Sequence, residues 1–145
     1  MIKVLVINGP NLNMLGKREP SIYGSTTLAE LESQCISWGR EAGASVSCIQ
    51  SNHEGEIVDT IQQADKDTNA IILNAGAYTH TSIAIRDAVS SVNIPVYEIH
   101  ISNIYAREEF RQKSYISDIA VGVVCGFGTL GYKIAIESAV QKNKS

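Results

Sequence analysis

The feature that constrains this chain most is an alternation of short apolar runs, rich in β-branched residues, with longer stretches in which apolar residues recur every three or four positions. Ile2-Lys3-Val4-Leu5-Val6-Ile7 is broken by Asn8-Gly9-Pro10, the pattern of a buried strand meeting a turn. Residues 44–49 alternate small or apolar side chains with Ser45 and Ser47, as a half-exposed edge strand does. Ala70-Ile71-Ile72-Leu73 ends at Asn74-Ala75-Gly76. Pro95-Val96-Tyr97-Glu98-Ile99 carries its proline at the start, where a missing N–H matters least, and residues 119–124 form a further apolar run.

The intervening stretches read as helices. Thr27-Leu28-Ala29-Glu30 is a capping box, followed by the stripe Leu28, Leu31, Cys35, Trp38 and Ala42 and stopped by Gly43. Residues 54–66 place Ile57, Val58, Ile61 and Ala64 on one side. Thr81 or Ser82 caps a helix through Val89, and residues 129–142 give a terminal helix with Leu130, Tyr132, Ile134, Ile136 and Val140 on a wide apolar face. Strands apolar throughout and alternating with helices predict a parallel sheet covered on both faces. Five of them in 145 residues predict one α/β domain over residues 1–145: a flavodoxin-like, doubly wound sheet of order 2-1-3-4-5 with right-handed crossovers.

Charge and composition narrow the partners. Twelve Lys and Arg against fifteen Asp and Glu leave a net charge of −3, the wrong sign for neutralising a phosphate backbone, so nucleic acid is not an expected partner. Cys35, Cys48 and Cys125 are odd in number and irregular in spacing. They form neither a disulfide framework nor a zinc site and read as core thiols in a reducing, cytoplasmic setting. No window approaches the ~20 apolar residues of a membrane span, and the first run is too short for the apolar part of a signal peptide, so no membrane partner is expected either.

A doubly wound sheet binds ligands at the carboxyl ends of its strands, beside the point where strand order reverses. Asn8-Gly9-Pro10-Asn11, then Asn74 to His80, then Glu98 to Asn103 stand at three such ends. The connection over residues 9–26 far exceeds the ~2 to 6 residues of an ordinary βα loop, which predicts an active-site lid. It carries Arg18 and Tyr23, and a guanidinium near a phenol favours the phenolate by charge attraction, the form that can take a proton. Glu98 and His100, two apart on a strand, project to one face, where a carboxylate orients an imidazole for acid catalysis. Arg107 and Arg111 follow as fork-shaped donors for hydroxyls or a carboxylate, and Asn74 with the backbone amides near Ile101 and Ser102 can receive an anion. Spacing leaves the roles of His80 and Asp87 open, and His53 reads as a surface or capping residue. No lysine stands at a strand end for a Schiff base, and no Cys/His cluster has metal-ligand spacing. Gly126-x-Gly128-x-x-Gly131, late in the chain, reads as backbone clearance rather than a phosphate site.

The run from Asn8 through Gly16-Lys17-Arg18-Glu19-Pro20-Ser21-Ile22-Tyr23-Gly24 resembles the opening of the type II 3-dehydroquinate dehydratases. Ser51-Asn52-His53-Glu54-Gly55, Asn74 through Ser82, Glu98-Ile99-His100-Ile101-Ser102-Asn103, Ala106-Arg107-Glu108 and Phe110-Arg111 are similar to that family too, with Ala75 and Tyr105 as departures. The resemblance implies a cofactor-free, metal-free trans elimination of water from 3-dehydroquinate through an enolate, in the shikimate route to aromatic amino acids. It implies Tyr23 as base beside Arg18, Asn11 steadying the enolate oxygen through a water, and His100 as acid oriented by Glu98. It further implies Asn74, Ile101 and Ser102 on the carboxylate; His80, Arg111 and Asp87 on ring hydroxyls, Asp87 from a neighbouring subunit; and a homo-oligomer, a dodecamer built from trimers. Two other uses of the same sheet compete. A flavin or phosphoacceptor module needs a phosphate-binding first loop or acidic strand ends, where this chain has Asn8 and Asn74. A noncatalytic interaction module has no need of Tyr23, Arg18 and His100 together.

Overall fold

The computed structural model describes residues 1–64 and 66–144. Its sheet is wholly parallel and runs β2-β1-β3-β4-β5, with β1 over Ile2–Asn8, β2 over Ala44–Gln50, β3 over Ala70–Asn74, β4 over Val96–His100 and β5 over Gly122–Cys125. This is the doubly wound order expected from the sequence. Alternation along the strands sends Val4, Val6, Ile72 and Ile99 to one face, where they pack with Leu31, Cys35, Tyr132 and Ile136 of α2 (Leu28–Ala42) and α5 (Leu130–Asn143). Ile7, Ile71, Leu73 and Val96 face the other way, onto Ile57, Ile61, Ile85 and Val89 of α3 (Glu54–Ala64) and α4 (Ile83–Ser91). Apolar contact on both faces is what lets the central strands be apolar on both sides until their carboxyl ends.

The predicted caps form. Thr27 Oγ1 accepts from the Glu30 N–H at 3.2 Å while Glu30 Oε1 accepts from the Thr27 N–H at 3.3 Å, an arrangement worth about 1 kcal/mol to a helix start. At the start of α4 the cap is Ser82 rather than Thr81. Gly131 is required by packing: a Cβ there would lie 2.4 Å from Ile99 Cδ1, so α5 could not sit down on β4. Gly126 and Gly128 have positive φ; a Cβ would meet Asn103 at 3.2 Å from Gly126 but open space at Gly128, so of the Gly-x-Gly-x-x-Gly run Gly131 and Gly126 give clearance and Gly128 a backbone conformation.

Three boundaries and one apolar face differ from expectation. Residues 117–119 form a 3-10 turn, and β5 starts only at Gly122, where pairing with Tyr97 begins. The β4 strand is displaced by one residue and includes His100. Within the described residues α3 ends at Ala64; Lys66 is in a turn, and Asp65 lies outside the described residues. On α5, Tyr132, Ile136 and Val140 are buried while Leu130 and Ile134 are substantially exposed, because two offset i, i+4 rows cannot both face one sheet. Residues 9–26 are not an unstructured connector: a 3-10 turn spans Leu12–Met14 and a short helix, α1, spans Pro20–Tyr23. Among the described residues, no helix is long and apolar enough to cross a membrane.

Candidate active site

The switch point falls between β1 and β3, where Asn8 pairs with Asn74 in the strand register. A cleft of about 250 Å³ opens there, and Asn11, Arg18, Tyr23, Asn74, His80, His100, Ile101, Ser102, Arg107 and Arg111 all line it. Three guanidiniums and two imidazoles face a volume that no Asp or Glu lines among the described residues. On a chain of net charge −3 this is a local reversal of sign, and it selects for a small anion.

One wall is built on β4. His100 Nε2 and Glu98 Oε2 are 2.5 Å apart, both nearly inaccessible to solvent, so the carboxylate fixes which imidazole nitrogen faces away from it. Behind the pair, Ser114 Oγ donates to both Glu98 oxygens at 3.1 Å and Ser117 Oγ donates to Oε1 at 2.6 Å. Burial alone would push the Glu98 carboxyl up. The hydrogen bonds from His100 and Ser117, the charge of His100 and the Ser114 bond outweigh it and hold Glu98 below its ordinary value. Glu98 is therefore an ionised, fully partnered group that can sustain positive charge on His100. His80 stacks on His100 with ring centroids 6.2 Å apart, and its Nδ1 is 2.8 Å from the Lys113 carbonyl. Desolvation lowers its pKa in spite of that carbonyl, so His80 is neutral at neutral pH, with Nδ1–H given to Lys113.

The opposite wall comes from the long loop. Tyr23 is half-buried, and its hydroxyl oxygen accepts from Arg107 Nη1 at 2.8 Å. Arg18, the expected neighbour, instead stands over the ring 5.1 Å from its centroid, with an ion pair to Glu19 at 3.6 Å. Arg107 also lies over the ring at 5.3 Å and donates to Ser102 Oγ at 3.2 Å. The loop begins at Asn11 in the left-handed region with φ of 68°, a conformation Asn tolerates better than most side chains. Its N–H is held by Asn52 Oδ1 at 3.0 Å, which Gln50 Nε2 also approaches at 3.0 Å.

The floor is Asn74, whose Oδ1 accepts from the Gly76 N–H at 3.1 Å and whose Nδ2 donates to the Tyr132 hydroxyl at 2.8 Å. Arg111 is steadied by Glu108, Nε to Oε1 at 3.0 Å. Of the expected site residues, Glu98 stands behind His100 rather than lining the cleft, and Asp87 is not brought there at all; it is exposed on α4, beside Arg86. The charge of Arg107 at the Tyr23 hydroxyl, and the two serines behind Glu98, are functions the sequence reading did not assign. Separations of 84, 16 and 19 residues gave no local signal for them.

Comparison with known proteins accounts for this arrangement. The family model described as dehydroquinase class II matches residues 2–140. The chain is 56% identical over 138 residues to a 3-dehydroquinate dehydratase of Ruegeria pomeroyi, covering 95% of this chain and 93% of that one. It is 56% identical over 142 residues to a catabolic 3-dehydroquinase of Verticillium alfalfae, covering 98% and 95% respectively. The crystal structure of a type II dehydroquinase from Propionibacterium acnes superposes with a TM-score of 0.94 at 42% identity, covering 97% of each chain. With the matched residues spanning every strand and both walls of the cleft, the chain belongs to the class II dehydroquinase family of enzymes.

Proposed function

We propose that this enzyme is a hydro-lyase, a 3-dehydroquinate dehydratase that eliminates water from 3-dehydroquinate to give 3-dehydroshikimate, a step of the cytoplasmic shikimate route to aromatic amino acids. The observation that carries the reading is the opposition, across one anion-attracting cleft, of a tyrosine held by an arginine and a histidine held by a buried carboxylate. Tyr23 as phenolate takes the proton α to the ketone. Arg107 at the oxygen and Arg18 over the ring are the cations placed to meet the charge of the phenolate, since a hydrogen bond from a cation is stronger to an anion than to a neutral group. The electrons move onto the ketone oxygen, and Asn11, acting through a water, steadies the enolate. As the enolate collapses, His100, its positive charge balanced by Glu98, protonates the departing hydroxyl and leaves as neutral imidazole. Proton removal and proton delivery come from opposite walls, which gives a trans elimination.

Asn74 and the backbone at Ile101 and Ser102 take the substrate carboxylate, while His80 and Arg111 hold ring hydroxyls. Asp87 reaches a neighbouring subunit's substrate in a dodecamer built from trimers, consistent with its exposure on α4 beside the half-exposed Ile83. Residues 9–26 act as a lid, closing to exclude water and opening for product release. The route uses protein groups alone and needs no cofactor or metal. Adding 3-dehydroquinate should produce conjugated-enone absorbance at a rate unaffected by dialysis against a chelator. A flat trace from folded oligomer contradicts the proposed reaction.

A further inference from the structure

Three polar side chains meet in the core beneath the cleft. Tyr132 of α5 is fully buried, and its hydroxyl joins the ends of the two strands at the switch point: it accepts from Asn74 Nδ2 at 2.8 Å and donates to Asn8 Oδ1 at 2.6 Å. Asn8 is itself fully buried, and its Nδ2 finds no partner among the described residues. Such a chain of amide and hydroxyl groups can in general run in either direction, since an amide can present oxygen or nitrogen. Here one group decides. The Gly76 backbone N–H can only donate, and its acceptor is Asn74 Oδ1 at 3.1 Å. Asn74 must therefore turn its nitrogen to Tyr132. The phenol has one proton, which goes to Asn8, and burial, opposed only in part by the Asn74 bond, pushes that phenol up so that the proton stays in place.

The consequence reaches the ligand. With one N–H of Asn74 given to Tyr132 and its carbonyl engaged by Gly76, the second N–H is the donor left to Asn74, which lines the cleft with 4% of its surface exposed. An amide in this sense offers a donor, and the reversed amide would turn a carbonyl dipole toward an anion. We infer that Tyr132 is a positioning residue: through its hydroxyl it holds the Asn74 amide with N–H toward the substrate carboxylate, in the direction that the Gly76 N–H sets and with Asn8 taking the phenol proton. The inference deepens the assignment of Asn74 to the carboxylate and rests on that reading.

A test uses the oligomeric enzyme in a Tyr23→Phe background, where 3-dehydroquinate is expected to turn over at least about 10²-fold more slowly, with calorimetry giving Kd. Tyr132→Phe keeps the ring and removes only the hydroxyl. It should weaken binding about tenfold, the scale of one lost hydrogen bond to an oriented group. After Asn74→Ala the same substitution should change Kd less than about twofold, because the amide it positions is gone. Weakening by the same factor in both backgrounds, or none in either, overturns the inference. Asn8→Ala removes the acceptor of the Tyr132 proton and leaves the ring, so its Asn74-dependent weakening decides the matter if Tyr132→Phe does not fold. Asn74-dependent binding by an enzyme that, with Tyr23 restored, shows no turnover contradicts the proposed reaction but not the positioning role. Absence of binding in the Tyr23→Phe parent contradicts both.

Discussion

His100 reaches the cleft, backed by Glu98, on β4, a strand paired on both sides and covered on both faces, whereas Arg18 and Tyr23 reach it on a connection whose only regular structure is a 3-10 turn and the four residues of α1. The acid wall is saturated: every oxygen of Glu98 has a hydroxyl or imidazole donor, and both residues are buried. On the base wall Tyr23 is held by two arginines, Arg107 at the hydroxyl and over the ring and Arg18 over the ring. A group that must be oriented before substrate arrives is placed on the sheet. One that, in the proposed mechanism, must move aside for entry and exit is placed beyond the buried Leu12 and Leu15, on a stretch where α1 buries no side chain.

The strongest way to break this contrast is to remove the groups that would react. Tyr23→Phe and His100→Ala should each lower kcat by about 10² to 10⁴, the usual scale for a lost base or acid, with the far-ultraviolet circular dichroism unchanged. Near-normal steady-state turnover for either would remove that residue from the mechanism. Next in size, Arg107→Ala should cost kcat at least about tenfold and also release the loop, since it deletes a charge-assisted hydrogen bond. Limited trypsin digestion followed by intact mass should then show faster cleavage after Lys17 and Arg18 than in the parent, with saturating product slowing the parent's cleavage. Arg18→Ala, which loses contact with the ring but not the hydroxyl, should lower kcat without that gain in cleavage elsewhere in the loop.

The third effect distinguishes the walls by pH. Because the folded Glu98 titrates below its ordinary value of 4.5, its contribution to stability is complete above that value and is lost as pH falls through the lower folded one. Thermal unfolding should therefore show Glu98→Gln well below the parent in Tm at neutral pH, with the gap closing as pH drops under 4.5; a constant gap would mean the carboxylate charge is not what the site retains. The smallest effect belongs to the support behind it. Ser117→Ala removes one of three donors to Glu98 and should lower kcat only a few-fold, with the acid limb of the pH-rate profile moving upward as Glu98 protonates more readily.

These expectations show which parts of the molecule local sequence could express. Strand runs such as Ala70 to Leu73 and the Thr27/Glu30 box carry their signals within a few residues, so sheet order and helix starts were readable. The Glu98/His100 pair was readable because strand alternation puts i and i+2 on one face. The partner of the Tyr23 hydroxyl was not: Arg18 is five residues away in sequence, but Arg107, 84 residues on, is the one the fold delivers to the oxygen. The same holds for Ser114, Ser117 and Tyr132, whose partners are set by how the segment after β4 folds back and how α5 lies on the sheet. Asp87 marks a further limit, since a residue with no place in its own chain's cleft depends on assembly for any role there.

The central claim is that base and acid act from opposite walls. It is tested most directly with two samples of 3-dehydroquinate, each carrying deuterium at one of the two diastereotopic positions α to the ketone and adjacent to the hydroxyl-bearing carbon. The 3-dehydroshikimate formed is read by mass spectrometry at low conversion. Loss of the deuteron anti to the departing hydroxyl, with the syn deuteron kept in the product, is the expected result. Loss of the syn deuteron, or equal loss from both samples, would contradict a tyrosine on the loop and a histidine on the sheet working across the cleft.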